Sequence, residues 1–243
     1  MGKVVNLKKL QRILLWMLGI ISALVVLIIA FIIFVVVPRI EFKSNATHAN
    51  AHVAAVAVIN ELMPEVQFES HTCGLHTLRI VYKAYGLNPD EENLRLRLGV
   101  DVSANPADSE STGTLHPDLY RVLIQDGFQY ESLSLSDEAS ALDDMTQHLK
   151  KGNMAILLIS RRENGNMHWV AASEIDNGNV KVIDSLFENP YSEQLADYMH
   201  KCILSCILVS KVEGRPPAQD LFTGADELVS VAFRMEEISK NRK

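Results

Sequence analysis

Hydrophobic and polar positions change their period twice along this chain of 243 residues, and the changes divide it. Ile13–Val37 is a run of 25 residues without a charge. As a helix it would reach about 38 Å, enough to cross roughly 30 Å of hydrocarbon with some tilt. A cleaved signal peptide would carry a shorter apolar core, about 7–15 residues, ending at a small-residue site. This run closes instead on Val37-Pro38-Arg39, so it predicts a retained signal anchor.

After it the pattern becomes helical. Ser44–Asn60, rich in Ala, Val, His and Asn, reads as a stalk that turns into a short helix before Met63-Pro64. Leu75, Leu78, Tyr82 and Tyr85 recur at helical spacing from Cys73 onward, and Gly86 supplies a stop. Asp90–Leu98, Leu115–Gln125 and Asp137–Lys150 read as further helices, with a polar loop at 101–113. Then the period shortens. Met154–Ser160 is a continuous apolar run of strand length, and Met167–Ile175 and Val180–Asp184 flank the hairpin signal Asp176-Asn177-Gly178. Tyr191–His200 reads as a helix, Ile203–Val209 as a last strand, and Asp226–Ile238 as an amphipathic helix in a charged tail. Helices first and strands second predict an α+β domain. The expected division is an N-terminus at 1–12, an anchor at 13–37, a stalk at 38–65, a domain at 66–212 and a tail at 213–243.

Charge sets the orientation. Lys3, Lys8, Lys9 and Arg12 precede the apolar run, whereas only Arg39 and Lys43 follow closely. The positive-inside bias therefore predicts a single-pass membrane protein with a cytoplasmic N-terminus and an extracytoplasmic domain. A net charge of -7 with scattered Lys and Arg gives no footprint for nucleic acid. The cysteines are Cys73, Cys202 and Cys206. The last two either bridge, if local structure brings them close, or lie as buried thiols beside the final strand.

The candidate chemistry lies in Gln67, Cys73, His168 and Asp184. A thiol attacks an amide only as thiolate, and a helix N-terminus and a neighbouring imidazolium both favour that form. Cys73 falls where the first helix of the domain begins, so unpaired N–H groups would face its sulfur. Gly74 would let a substrate backbone approach, and Gln67 could aim its amide at the oxygen the Cys73 N–H also meets, forming an oxyanion hole. His168 would act as base and Asp184 would orient it. The hairpin register decides whether those two can meet. A two-residue turn at Asn177-Gly178 would pair Asp184 with Ala171 and put His168 on the opposite face. A three-residue loop with Gly178 in a bulge would pair Asp184 with Val170 and bring His168 to the same face. The catalytic assignment expects the bulged loop. His71, Cys73 and His76 lack a fourth ligand at workable spacing, as do His48 and His52, so no metal or other cofactor is expected.

Gln67-x5-Cys73-Gly74 opening a helix, Leu94–Gly99, Gly113-Thr114-Leu115, His168-Trp169-Val170 and Ile183-Asp184 resemble the bacteriocin-processing cysteine peptidases. The resemblance covers roughly 67–211. It implies a papain-like fold with N-terminal helices and an antiparallel sheet, and cleavage after a double-glycine leader. It also implies a peptide or protein substrate, a link to a secretion or transport system, and the roles above for Cys73, His168, Asp184 and Gln67. Thr72, Trp169 and Ser185 depart from that family's usual Asp, Phe and Pro. Two other functions fit the same residues: a transglutaminase-like amide transferase or hydrolase, and a catalytically silent peptide-binding module.

Overall fold

The computed structural model describes residues 7–31, 62–100, 113–211, 231 and 233–240, and the chain divides into two units, Met1–Asn45 and Ala46–Lys243. In the first unit Leu7–Phe31 is a single helix, α1, whose described side chains at 16–29 are exposed. Among the described residues no helix is long and apolar enough to cross a membrane. The end of the expected anchor at Val37, the stalk at 44–60, most of the loop at 101–113 and the start of the tail helix lie outside the described residues.

The second unit is α+β. Its helices are α2 (Cys73–Ala84), α3 (Glu91–Leu98), α4 (His116–Gln125), α5 (Glu138–Lys150) and α6 (Leu195–Lys201). Its strands are β1 (Phe128–Leu133), β2 (Met154–Ser160), β3 (Met167–Asp176), β4 (Asn179–Ile183), β5 (Tyr191–Gln194) and β6 (Ile203–Lys211). Local chemistry fixes the helix ends. The Asp90 carboxylate accepts from the Asn93 N–H at 2.8 Å and caps α3, and Gly99 at φ 66° ends it in the left-handed region. Asp137 caps α5 in the same way through the Ser140 N–H.

The strands form one antiparallel sheet in the order β1-β6-β2-β3-β4-β5. Period-2 alternation gives it two apolar faces. Met154, Ile156 and Leu158 of β2 share a core with Leu75, Leu78, Tyr82 and Tyr85 of α2. Ala155, Leu157 and Ile159 share another with Ala141, Met145 and Leu149 of α5 and with Leu195, Tyr198 and Met199 of α6. The continuous apolar run of β2 is thus a strand buried on both faces.

The structure corrects four boundaries. Phe128–Leu133, for which the sequence pattern predicts no element, is a strand on β6. Tyr191–Gln194, expected as the first turn of a helix, is a strand on β4, and α6 starts only at Leu195. Leu62, assigned to the stalk, is in the α2-side core, and Glu65 pairs with Arg79 at 2.9 Å. The tail helix also joins the domain: Val231 and Ile238 bury into the same core, and Arg234 Nη2 donates to the Met199 carbonyl at 2.9 Å.

Candidate active site

α2 begins at Cys73, with its first helical hydrogen bond running from the His76 N–H to the Thr72 carbonyl at 3.1 Å. Thr72 precedes the helix without capping it, since its hydroxyl donates to the Glu69 carbonyl at 2.9 Å. The first-turn N–H groups are therefore left to a ligand near the thiol. Cys73 itself is 9% exposed. Gly74 has a packing role that the sequence does not announce. A Cβ on Gly74 would lie 2.4 Å from Thr114 Cβ, so glycine is required by close packing of the helix start on Thr114. Thr114 is held in turn, because its carbonyl accepts from Trp169 Nε1 at 2.9 Å. The Trp169 carbonyl accepts from Thr77 Oγ1 at 3.0 Å, which ties α2 to the strand that carries His168.

The hairpin settles the register by a route not expected from the sequence. Asp176 pairs with Asn179 across a tight two-residue turn, with Asn177 at φ 49° and Gly178 at φ 80°. Both residues are left-handed, as a type I′ turn requires. No three-residue loop forms. Instead the ladder shifts between Ala172 and Glu174, where Ser173 is the extra residue of a β-bulge. Beyond the bulge Ala172 pairs with Val182 and Ala171 with Ile183. Continuing that register sets Asp184 opposite Val170 and puts His168 and Asp184 on one face. A tight turn does not disqualify Asp184, because the odd residue is absorbed inside β3.

His168 Nε2 lies 2.6 Å from Asp184 Oδ1, with both side chains buried. The other oxygens and neighbours fix the carboxylate. The Leu186 N–H donates to Oδ1 at 2.9 Å, and the Tyr191 hydroxyl stands 3.5 Å from Oδ2. Burial works against a charged imidazole at this position, but the hydrogen bond to Asp184 and the adjoining Cys73 thiol outweigh it and raise the His168 pKa to about 9. With Nε2 committed to Asp184, Nδ1 is the nitrogen left for sulfur. His116 offers a contrast. It is buried against Trp169, bonded to Ser205 Oγ at 2.7 Å, and lowered by burial to about 4, so it stays neutral.

Gln67 is held beside this group. Its backbone N–H donates to the Ser185 carbonyl at 2.8 Å, its Oε1 accepts from Ser185 Oγ at 2.6 Å, and its Nε2 donates to the Glu69 carbonyl at 2.9 Å. Glu69 O also accepts from Thr72, so the Gln67 amide and the residue before Cys73 meet at one acceptor. All four candidate residues are thus gathered around the start of α2 and the end of β4. Two contributors have no role that the sequence predicts: Thr114, present only as part of the Gly113-Thr114-Leu115 motif, which packs on Gly74, and Ser185, named only as a departure after Asp184. A cleft of about 400 Å³ opens on the Asp184 side, lined by Arg162, Phe187, Tyr191 and Glu193 among others. Cys202 and Cys206 are free and buried, so the bridged alternative does not hold.

No family model and no curated protein matches the chain. Several solved structures do. The peptidase domain of Streptococcus ComA, a bifunctional ABC transporter of a quorum-sensing pathway, is 14% identical, with a TM-score of 0.47 over 63% of this chain and 100% of that one. A double-glycine motif protease from an AMS/PCAT transporter, solved with its leader peptide, is 15% identical, with a TM-score of 0.46 over 65% of this chain and 100% of its own. A C39-like peptidase from Bacillus anthracis is 13% identical, with a TM-score of 0.46 over 66% and 100%.

Proposed function

We propose that the chain is a cysteine peptidase that hydrolyses a peptide bond through Cys73, His168, Asp184 and Gln67. The observation that carries the proposal is His168, held by Asp184 on one side and favoured in its charged form by the Cys73 thiol on the other. The Cys73 thiolate attacks the scissile carbonyl carbon, and the carbonyl oxygen becomes an oxyanion. The N–H groups at the start of α2 and the Gln67 amide receive that charge. The His168 imidazolium gives its proton to the leaving amine as the C–N bond breaks. Neutral His168 then takes a proton from water, whose oxygen attacks the thioester and restores the thiolate. Asp184 keeps the ring aligned throughout and stabilises its positive form.

The substrate is an extended peptide or a flexible protein segment, and by the resemblance of the motifs a double-glycine leader in a secretion or transport system. In the same proposal Ile13–Val37 anchors the protein in a membrane, with the domain outside the cytoplasm. The 25-residue uncharged run and the excess of Lys and Arg before it support this reading. Incubation of the full chain with a diverse peptide library, followed by mass spectrometry, tests the activity. New termini are expected with wild type and none with Cys73→Ala. Incorporation of a small primary amine into glutamine side chains without chain cleavage would contradict the proposal and favour an amide transferase.

A further inference from the structure

We infer that Ser185 is a positioning residue that aims the Gln67 amide at the oxyanion, an inference that rests on the peptidase proposal above. A primary amide can present either end, and only the NH2 end can donate. At Gln67 both ends are assigned by their neighbours. The Glu69 carbonyl can only accept, so Nε2 must face it, at 2.9 Å. Oε1 is then turned to Ser185 Oγ at 2.6 Å, and the hydroxyl must donate. One Nε2–H is used by Glu69 and the second remains for substrate. Ser185 is wholly buried, and its carbonyl also takes the Gln67 N–H at 2.8 Å, so backbone and side chain of one residue grip Gln67 twice.

The same segment holds the base. Asp184, the preceding residue, binds His168, and Ser185 binds Gln67. The two residues that follow β4 therefore set the spacing between the general base and the oxyanion donor through a single peptide unit. Without the hydroxyl, Oε1 loses its partner and the amide can rotate. The carbonyl contact keeps the backbone of Gln67 in place, so the loss falls on side-chain aim.

Two reagents separate this role from a structural one. Iodoacetamide alkylates a thiolate by displacing iodide, with no tetrahedral oxyanion. 4-Nitrophenyl acetate acylates it: sulfur attacks the carbonyl carbon, an oxyanion forms, and 4-nitrophenolate leaves as the thioester closes. Rates at Cys73 would be measured on the full chain, with the signal of Cys73→Ala subtracted. Ser185→Ala is expected to slow acylation about tenfold more than alkylation, a fraction of the ~10²-fold or greater effect of removing an oxyanion donor. Ser185→Thr, which keeps the hydroxyl, restores most of that ratio, and Ser185→Gly reproduces the loss if the alanine variant folds poorly. In a Gln67→Ala background Ser185→Ala adds nothing. An acylation-to-alkylation ratio equal to wild type in Ser185→Ala, or an undiminished effect without Gln67, overturns the inference. If wild-type Cys73 alkylates no faster than a free cysteine, the peptidase proposal itself fails and takes this inference with it.

Discussion

His168 Nε2 stands 2.6 Å from Asp184 Oδ1 because β3 carries one more residue than its partner, at Ser173. The hairpin turn is the tight two-residue form, which alone would send the two side chains to opposite faces. A bulge inside the strand returns them to the same face. The ring that results is buried, favoured in its charged form and beside a thiol at a helix N-terminus.

Asp184→Asn keeps the shape of the carboxylate and removes its charge. The His168 pKa should fall from about 9 towards its ordinary value of 6.5, because the hydrogen bond that raises it is no longer to a charged oxygen and the Coulomb attraction of Asp184 is gone. Peptide hydrolysis is expected to drop roughly 10²–10⁴-fold in kcat, as for other triads deprived of their acid. Histidine NMR titration and steady-state kinetics would check both.

The pH dependence has a definite sign. A folded pKa of about 9 lies above the ordinary 6.5, so His168 contributes stability that is fully present below about 6.5 and is lost as pH rises through about 9. At most this amounts to about 3 kcal/mol. Urea unfolding of wild type should weaken between pH 7 and 10, and His168→Ala should lack that part of the decline.

How much of this could be read from the sequence depended on burial. β2, buried on both faces, announced itself as an unbroken apolar run from Met154 to Ser160. The two strands the sequence pattern failed to reveal, Phe128–Leu133 and Tyr191–Gln194, are the two edges of the sheet. An edge strand has one neighbour and half-exposed side chains, so its alternation is faint. At the site, Cys73, His168, Asp184 and Gln67 were legible because their chemistry is type-specific. The Ser173 bulge was not, since a serine among alanines leaves no mark that says the ladder will slip there. The close packing of Gly74 on Thr114 joins residues 40 positions apart and is visible only in three dimensions.

Gly74→Ala places a methyl 2.4 Å from Thr114 Cβ. The start of α2 must shift, with a cost of about 1–3 kcal/mol and a displaced thiol. Thermal unfolding and Cys73 alkylation should both be impaired. Adding Thr114→Gly, which removes the opposing Cβ, is expected to recover a large part of each.

Thiol accessibility should divide the cysteines. Cys202 and Cys206 are free but almost wholly buried, and burial pushes the Cys206 thiol pKa up. Intact-mass analysis of the native protein after brief alkylation should therefore show one label, at Cys73. Three labels should appear after denaturation without any reductant.

The rate of Cys73 alkylation by iodoacetamide as a function of pH, in wild type and in His168→Ala with Cys73→Ala as blank, reads the thiol–imidazole pair directly. An imidazolium paired with the sulfur predicts faster labelling at neutral pH in wild type than in His168→Ala. It also predicts a further step near pH 9 as His168 loses its proton, absent in His168→Ala. A single rise around the ordinary cysteine value, identical in wild type and His168→Ala, would show that His168 does not pair with Cys73.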